Sequence, residues 1–154
     1  IGIPVMLNPA PAAEIDLELL RGACYFTPNR SELEYYSGIR IKSLADARNA
    51  VKKLLSDGIR TVVATLGADG AVVGDADGIR MIPGCHVEAV DTVGAGDAFN
   101  GALAARLVMG EEIDKAVDYA NIVGALSVTK HGAIPSIPKR NDVLAFLQYL
   151  QKEA

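Results

Sequence analysis

Eleven consecutive residues, Asp91-Thr92-Val93-Gly94-Ala95-Gly96-Asp97-Ala98-Phe99-Asn100-Gly101, carry the side-chain types that phosphate chemistry uses. Two glycines and an alanine let backbone N–H groups approach an anion closely. A helix starting there adds unsatisfied donors and the positive end of its dipole. Asp97 sits beside those donors, where a carboxylate can take the proton of a hydroxyl whose oxygen attacks a γ-phosphate. An aspartate capping a helix after a glycine turn is the plainer reading, and a bare Gly-x-Gly-Asp would not displace it. The sequence contains no Gly-x4-Gly-Lys-Ser/Thr phosphate loop.

The elements that would position this segment alternate between extended and helical patterns. Ile3 to Leu7 reads as a buried strand that stops at the prolines Pro9 and Pro11. Weak helical spacing over Glu14 to Leu20, a strand over Ala23 to Phe26 and a short helix over Ser31 to Ser37 follow. From Ser43 to Asp57, Leu44, Ala47, Val51, Leu54 and Leu55 recur at three- and four-residue steps. Ser43 suits the N-cap and Gly58 the C-terminal stop. Thr61 to Leu66 is a β-branched strand pattern, and Ala71 to Val73 pairs with Ile79 to Ile82 as a hairpin. An extended stretch over Val87 to Val90 leads into the glycine turn. Helices are then predicted over Gly96–Met109, Glu112–Thr129 and Lys139–Lys152. The last packs Leu144, Phe146, Leu147 and Leu150 onto the sheet. Short loops and the absence of repeats predict one compact α/β unit.

The 154 residues carry a net charge of −4, with no broad basic field, which disfavours nucleic acid as a partner. No apolar run is long enough to span a bilayer, so a soluble protein is expected. Cys24 and Cys85 are far apart and read as reduced, packed thiols of a cytoplasmic protein. His86 and His131 lack the spacing of a metal pair. The chain opens at Ile1 within an apolar run, without an initiator Met or a leader, and reads as a fragment.

The eleven-residue string resembles the C-terminal signature of the ribokinase-like (PfkB) carbohydrate kinases. Four further segments resemble that family in the same order: Asn8-Pro9-Ala10-Pro11-Ala12; Thr27-Pro28-Asn29 with Glu32; Thr65-Leu66-Gly67-Ala68-Asp69-Gly70; and Gly132-Ala133-Ile134-Pro135-Ser136. Together they span Asn8 to Ser136. The resemblance implies a layered α/β/α fold with a mostly parallel central sheet, present here as its C-terminal portion. The sugar-binding half and its lid would be absent. It also implies ATP-dependent phosphorylation of a sugar hydroxyl, with ribose favoured over fructose or a nucleoside, by an enzyme that is homodimeric when whole. A nucleotide- or sugar-sensing homologue without catalysis is the alternative from another class, and the retention of Asp97 and Glu32 weighs against it.

The same resemblance assigns roles to single residues. Asp97 would be the base at the acceptor hydroxyl, and the backbone of Gly94, Ala95 and Gly96 would form the anion hole. Asn29 and Glu32 would match the family's Asn-x-x-Glu motif, with Glu32 organising Mg2+, although as a bare sequence feature Glu32 is simply an acid in a first helical turn. Thr65, Leu66, Gly67, Ala68, Asp69 and Gly70 would line the ATP cleft, and Asn121 its adenine or ribose side. Asp91, Val93, Ser127, Lys130, Gly132 and Ser136 would supply oxygens to K+. Arg30 departs from the pattern, because an acid often stands there in the family.

Overall fold

The structure, a computed structural model, describes residues 2–153. Its packing gathers into two units, residues 1–83 and 84–154, where the sequence had suggested one. Among the described residues, one hydrophobic core is built on a sheet and another on helices.

The first unit carries a five-stranded sheet, in the order β1 (Met6–Leu7), β2 (Tyr25–Phe26), β3 (Val62–Thr65), β4 (Gly70–Asp75) and β5 (Gly78–Pro83). The first three strands run parallel, and β4 and β5 extend the sheet as an antiparallel hairpin. Helices α1 (Leu17–Gly22), α2 (Arg30–Ser37) and α3 (Leu44–Ser56) connect the parallel strands. Val62, Val63 and Ala64 are all fully buried, as a strand covered on both faces requires. Ser43 caps α3 by accepting from the Asp46 N–H at 3.2 Å. Ala47, Ala50, Val51 and Leu54 form its buried stripe, packed against β3 to β5. Each such Val or Leu contributes roughly 1.5–3 kcal/mol by leaving water. A side chain at Gly74 would run into Val51 Cγ1, so glycine lets α3 lie close on β4.

Strand β1 covers only Met6–Leu7, shorter than Ile3 to Leu7, because Pro4 offers no N–H to a ladder. The hairpin turns on Ala76-Asp77, with Gly78 at φ 119° and Asp75 opposite Gly78. Asp75 accepts two bonds from Arg80, both 2.9 Å, and that guanidinium chiefly holds its carboxyl below the usual carboxylate range.

The second unit comprises α4 (Ala95–Val108), α5 (Ile113–Ser127), the short α6 (Ala133–Ser136) and α7 (Arg140–Glu153). Val87 to Val90 forms no strand; instead the Val90 N–H donates to Val128 O at 2.7 Å. Val143, Phe146, Leu147 and Leu150 of α7 pack with Ala98, Ile122 and Val123. Leu144, expected in that packed face, is 44% exposed. Cys24 and Cys85 are free and partly buried, and burial pushes the Cys85 thiol up. Among the described residues no helix is long and apolar enough to cross a membrane.

Candidate active site

The expected site residues fall into two groups, one in each unit. In the first, Asn29 and Glu32 open α2 as a reciprocal capping box. The Glu32 N–H donates to Asn29 Oδ1 at 3.0 Å, and the Asn29 N–H donates to Glu32 Oε2 at 2.8 Å. The plain reading of Glu32 as a first-turn acid is therefore correct as local structure. It leaves Oε1 outside the cap, on a side chain whose residue is only 4% exposed. A carboxylate fixed in this way suits a metal held through water better than one gripped directly.

Asn29 also meets the segment Thr65–Gly70. It forms a parallel bridge with Thr65, whose N–H donates to Pro28 O at 2.9 Å. Beyond Thr65 the chain makes a tight 3-10 turn over Gly67–Asp69, closed by the Leu66 N–H donating to Gly70 O at 2.8 Å. Gly67 and Gly70 take φ 67° and 101°, a region costly for other residues. Leu66 and Gly70 are buried, whereas Gly67, Ala68 and Asp69 are exposed at the tip. The Arg30 guanidinium reaches across to Asp69, 3.1 Å away. Sequence reading did not pair these two residues; opposite charges 39 positions apart give no local signal.

In the second unit the glycine turn starts α4 as expected, one residue earlier than the sequence suggested. The N-cap is Gly94, at φ 81° and with no side-chain cap. Asp97 lies three residues further on, in the first turn, so it is not the N-cap and the plainer sequence reading fails. Its side chain is exposed. The Ala95 N–H donates to Thr92 O at 3.3 Å and the Ala98 N–H to Gly94 O at 2.9 Å. Among the described residues the N–H groups of Gly96 and Asp97, which lie between them, have no protein acceptor. Open donors, the helix dipole and a free carboxylate therefore share one turn.

Asp91 fixes the approach to that turn. Its Oδ1 accepts from the Val93 N–H at 3.0 Å and its Oδ2 from the Gly132 N–H at 2.8 Å. Those two bonds, Gly132 first, hold its carboxyl below the usual range. A Cβ on Gly94 would lie 3.0 Å from Ala133 Cβ, so the α4 start and the α6 start touch. The Gly132–Ser136 string folds as α6, a turn of helix that its proline had hidden from sequence reading. Ser127 and Ser136 are buried and give their protons to Gly124 O and Ala133 O, both at 2.7 Å, which leaves oxygen lone pairs free. Lys130 is exposed after α5. Asn121 is buried on α5, 8% exposed, and so is not a solvated mid-helix residue. Among the described residues, no three His, Cys, Asp or Glu side chains group as a metal site.

Residues 1–140 match the profile of the pfkB family carbohydrate kinases. The chain belongs to the pfkB family. Within it, the chain is 40% identical over 148 residues to a ribokinase of Haemophilus influenzae, covering 96% of this chain and 48% of that protein. It is 36% identical over 148 residues to a deoxyribokinase of Salmonella typhi, covering 94% and 48%. The Arabidopsis thaliana ribokinase complexed with ribose and ATP superposes with a TM-score of 0.88 at 31% identity, covering 95% of this chain and 48% of that one. The chain thus spans about half the length of the pfkB-family relatives it matches, and the expected α/β fold is shared with them.

Proposed function

We propose that this chain is the nucleotide-side, catalytic portion of an ATP-dependent sugar kinase whose acceptor is ribose. The observation that carries the reading is the first turn of α4, with unpaired N–H donors at Gly96 and Asp97 beside the exposed Asp97 carboxylate. The Asp97 carboxylate accepts the proton of the acceptor hydroxyl. The freed oxygen pair bonds to the γ-phosphorus, the bond to the β,γ-bridging oxygen breaks, and ADP departs. Charge gathering on the transferred group meets the donors of Gly94 to Asp97, of which Ala95's is given to Thr92 O and the other three are open among the described residues.

The Thr65–Gly70 turn and Asn121 take the nucleotide. Mg2+ supplies charge neutralisation on the phosphates, and Glu32 organises its waters from the cap on α2. Potassium fits the oxygen set of Asp91, Val93, Ser127, Lys130, Gly132 and Ser136, with the two buried hydroxyls already oriented by their own donor bonds. The remaining half of the protein contributes the sugar pocket, and two copies assemble in the cytoplasm. By itself the chain positions no acceptor and transfers phosphate poorly.

The test is ADP release by the protein at full family length, with MgATP and K+, against ribose, deoxyribose, fructose and adenosine, and with this chain alone in parallel. Ribose-dependent release that falls when K+ is replaced by a bulky organic cation is expected. Preference for deoxyribose, the sugar named for one relative, would replace the acceptor and keep the chemistry. Silence with every acceptor would remove the kinase reading.

A further inference from the structure

We infer that Arg30 and Asp69 act as a clasp that keeps the Asn29–Glu32 cap and the Thr65–Gly70 turn in one register, making Arg30 a positioning residue for the metal-bound nucleotide. The inference rests on the proposed kinase reading. Among the described residues a backbone bridge and a side-chain ion pair join the two segments: Asn29 bridges Thr65, with the Thr65 N–H donating to Pro28 O at 2.9 Å, and Arg30 Nη2 lies 3.1 Å from Asp69 Oδ2.

The backbone links anchor the base of the turn at the end of β3. Its exposed tip, Gly67 to Asp69, begins on one positive-φ glycine, Gly67, is followed by another, Gly70, and is tied to α2 by Arg30. Arg30 follows the N-cap directly and Glu32 stands two residues later, so a shift of the tip relative to α2 changes the spacing between Glu32 and the turn. An arginine where the family often carries an acid thus has a partner of opposite sign at the tip.

The side chains are 42% and 65% exposed, so the link has the strength of a surface ion pair. Roughly two- to fivefold effects are expected for breaking it, fading in about 1 M salt. The variants are Arg30→Asp, Asp69→Arg and the double exchange, made in the protein at full family length. The dissociation constant for MgATP is read by titration calorimetry. Amide exchange is read at Thr65, whose N–H donates to Pro28 O, and at Leu66, whose N–H closes the turn on Gly70 O.

Each single change should weaken MgATP binding two- to fivefold and speed exchange at those amides, and the exchanged pair should restore both. Unchanged exchange in the singles would overturn the clasp. Tighter MgATP binding by Asp69→Arg would also overturn it, because added positive charge would then matter more than register. Faster exchange with unaltered MgATP binding would remove the positioning role. A wild-type protein that binds no MgATP would fail the kinase reading itself, and with it any role for the clasp in nucleotide binding.

Discussion

Gly94 and Gly96 lie in the same turn, and glycine is needed at each for a different reason. Gly94 sits at φ 81° against Ala133, so a side chain there is strained and crowded. Gly96 has ordinary backbone geometry and nothing within 4 Å of an added Cβ. Gly94→Ala should therefore cost about 1–2 kcal/mol of stability, read as a lower urea midpoint. Gly96→Val should leave the midpoint nearly unchanged yet slow phosphoryl transfer by about 10²–10³, the scale of a lost anion-hole donor. A normal rate in Gly96→Val would count against the hole. The sequence string could not separate the two glycines, since the crowding at Gly94 comes from Ala133, 39 positions away.

Helix α2 begins on a capping box, and the box accounts for both Asn29 and Glu32 as local structure. Glutamine serves a capping box as well as glutamate, so substitution can separate the structural role from the metal role. Glu32→Gln should retain thermal stability while raising the Mg2+ concentration needed for half-maximal rate. Glu32→Ala should do the same and also lose about 1 kcal/mol of stability. Equal Mg2+ requirement in Glu32→Gln and wild type would confine the residue to its cap.

The hairpin of β4 and β5 carries its own pH dependence. The Asp75 carboxyl is lowered chiefly by Arg80, so its stabilisation is complete above the usual carboxylate range and is lost as pH falls through the lowered value. Urea midpoints should fall over that acidic window in wild type and fall less in Asp75→Asn. Helix α3 and this hairpin were legible in sequence because period and turn residues act locally. The second core was not: α7 finds its partners on α4 and α5, and no local pattern distinguishes a helix partner from a sheet. Leu144 shows the cost of reading by spacing alone, since it keeps helical register with the buried residues but faces solvent.

At the scale of the whole molecule, five ordered motifs made the family legible, and the fold and the family match agree with it. The acceptor was less legible, because relatives of similar identity are named for ribose and for deoxyribose. The chain spans about half of each, so residues that distinguish those sugars can lie outside it. The two groups of site residues also lie in separate units, and what each contributes is testable one group at a time.

The most direct test is Asp97→Asn in the protein at full family length, comparing ribose-dependent ADP release with MgATP affinity. A loss of about 10²–10⁴ in kcat is expected, with MgATP affinity within about twofold of wild type. A mutant that keeps its rate to within a few-fold would contradict the assignment of Asp97 as the base.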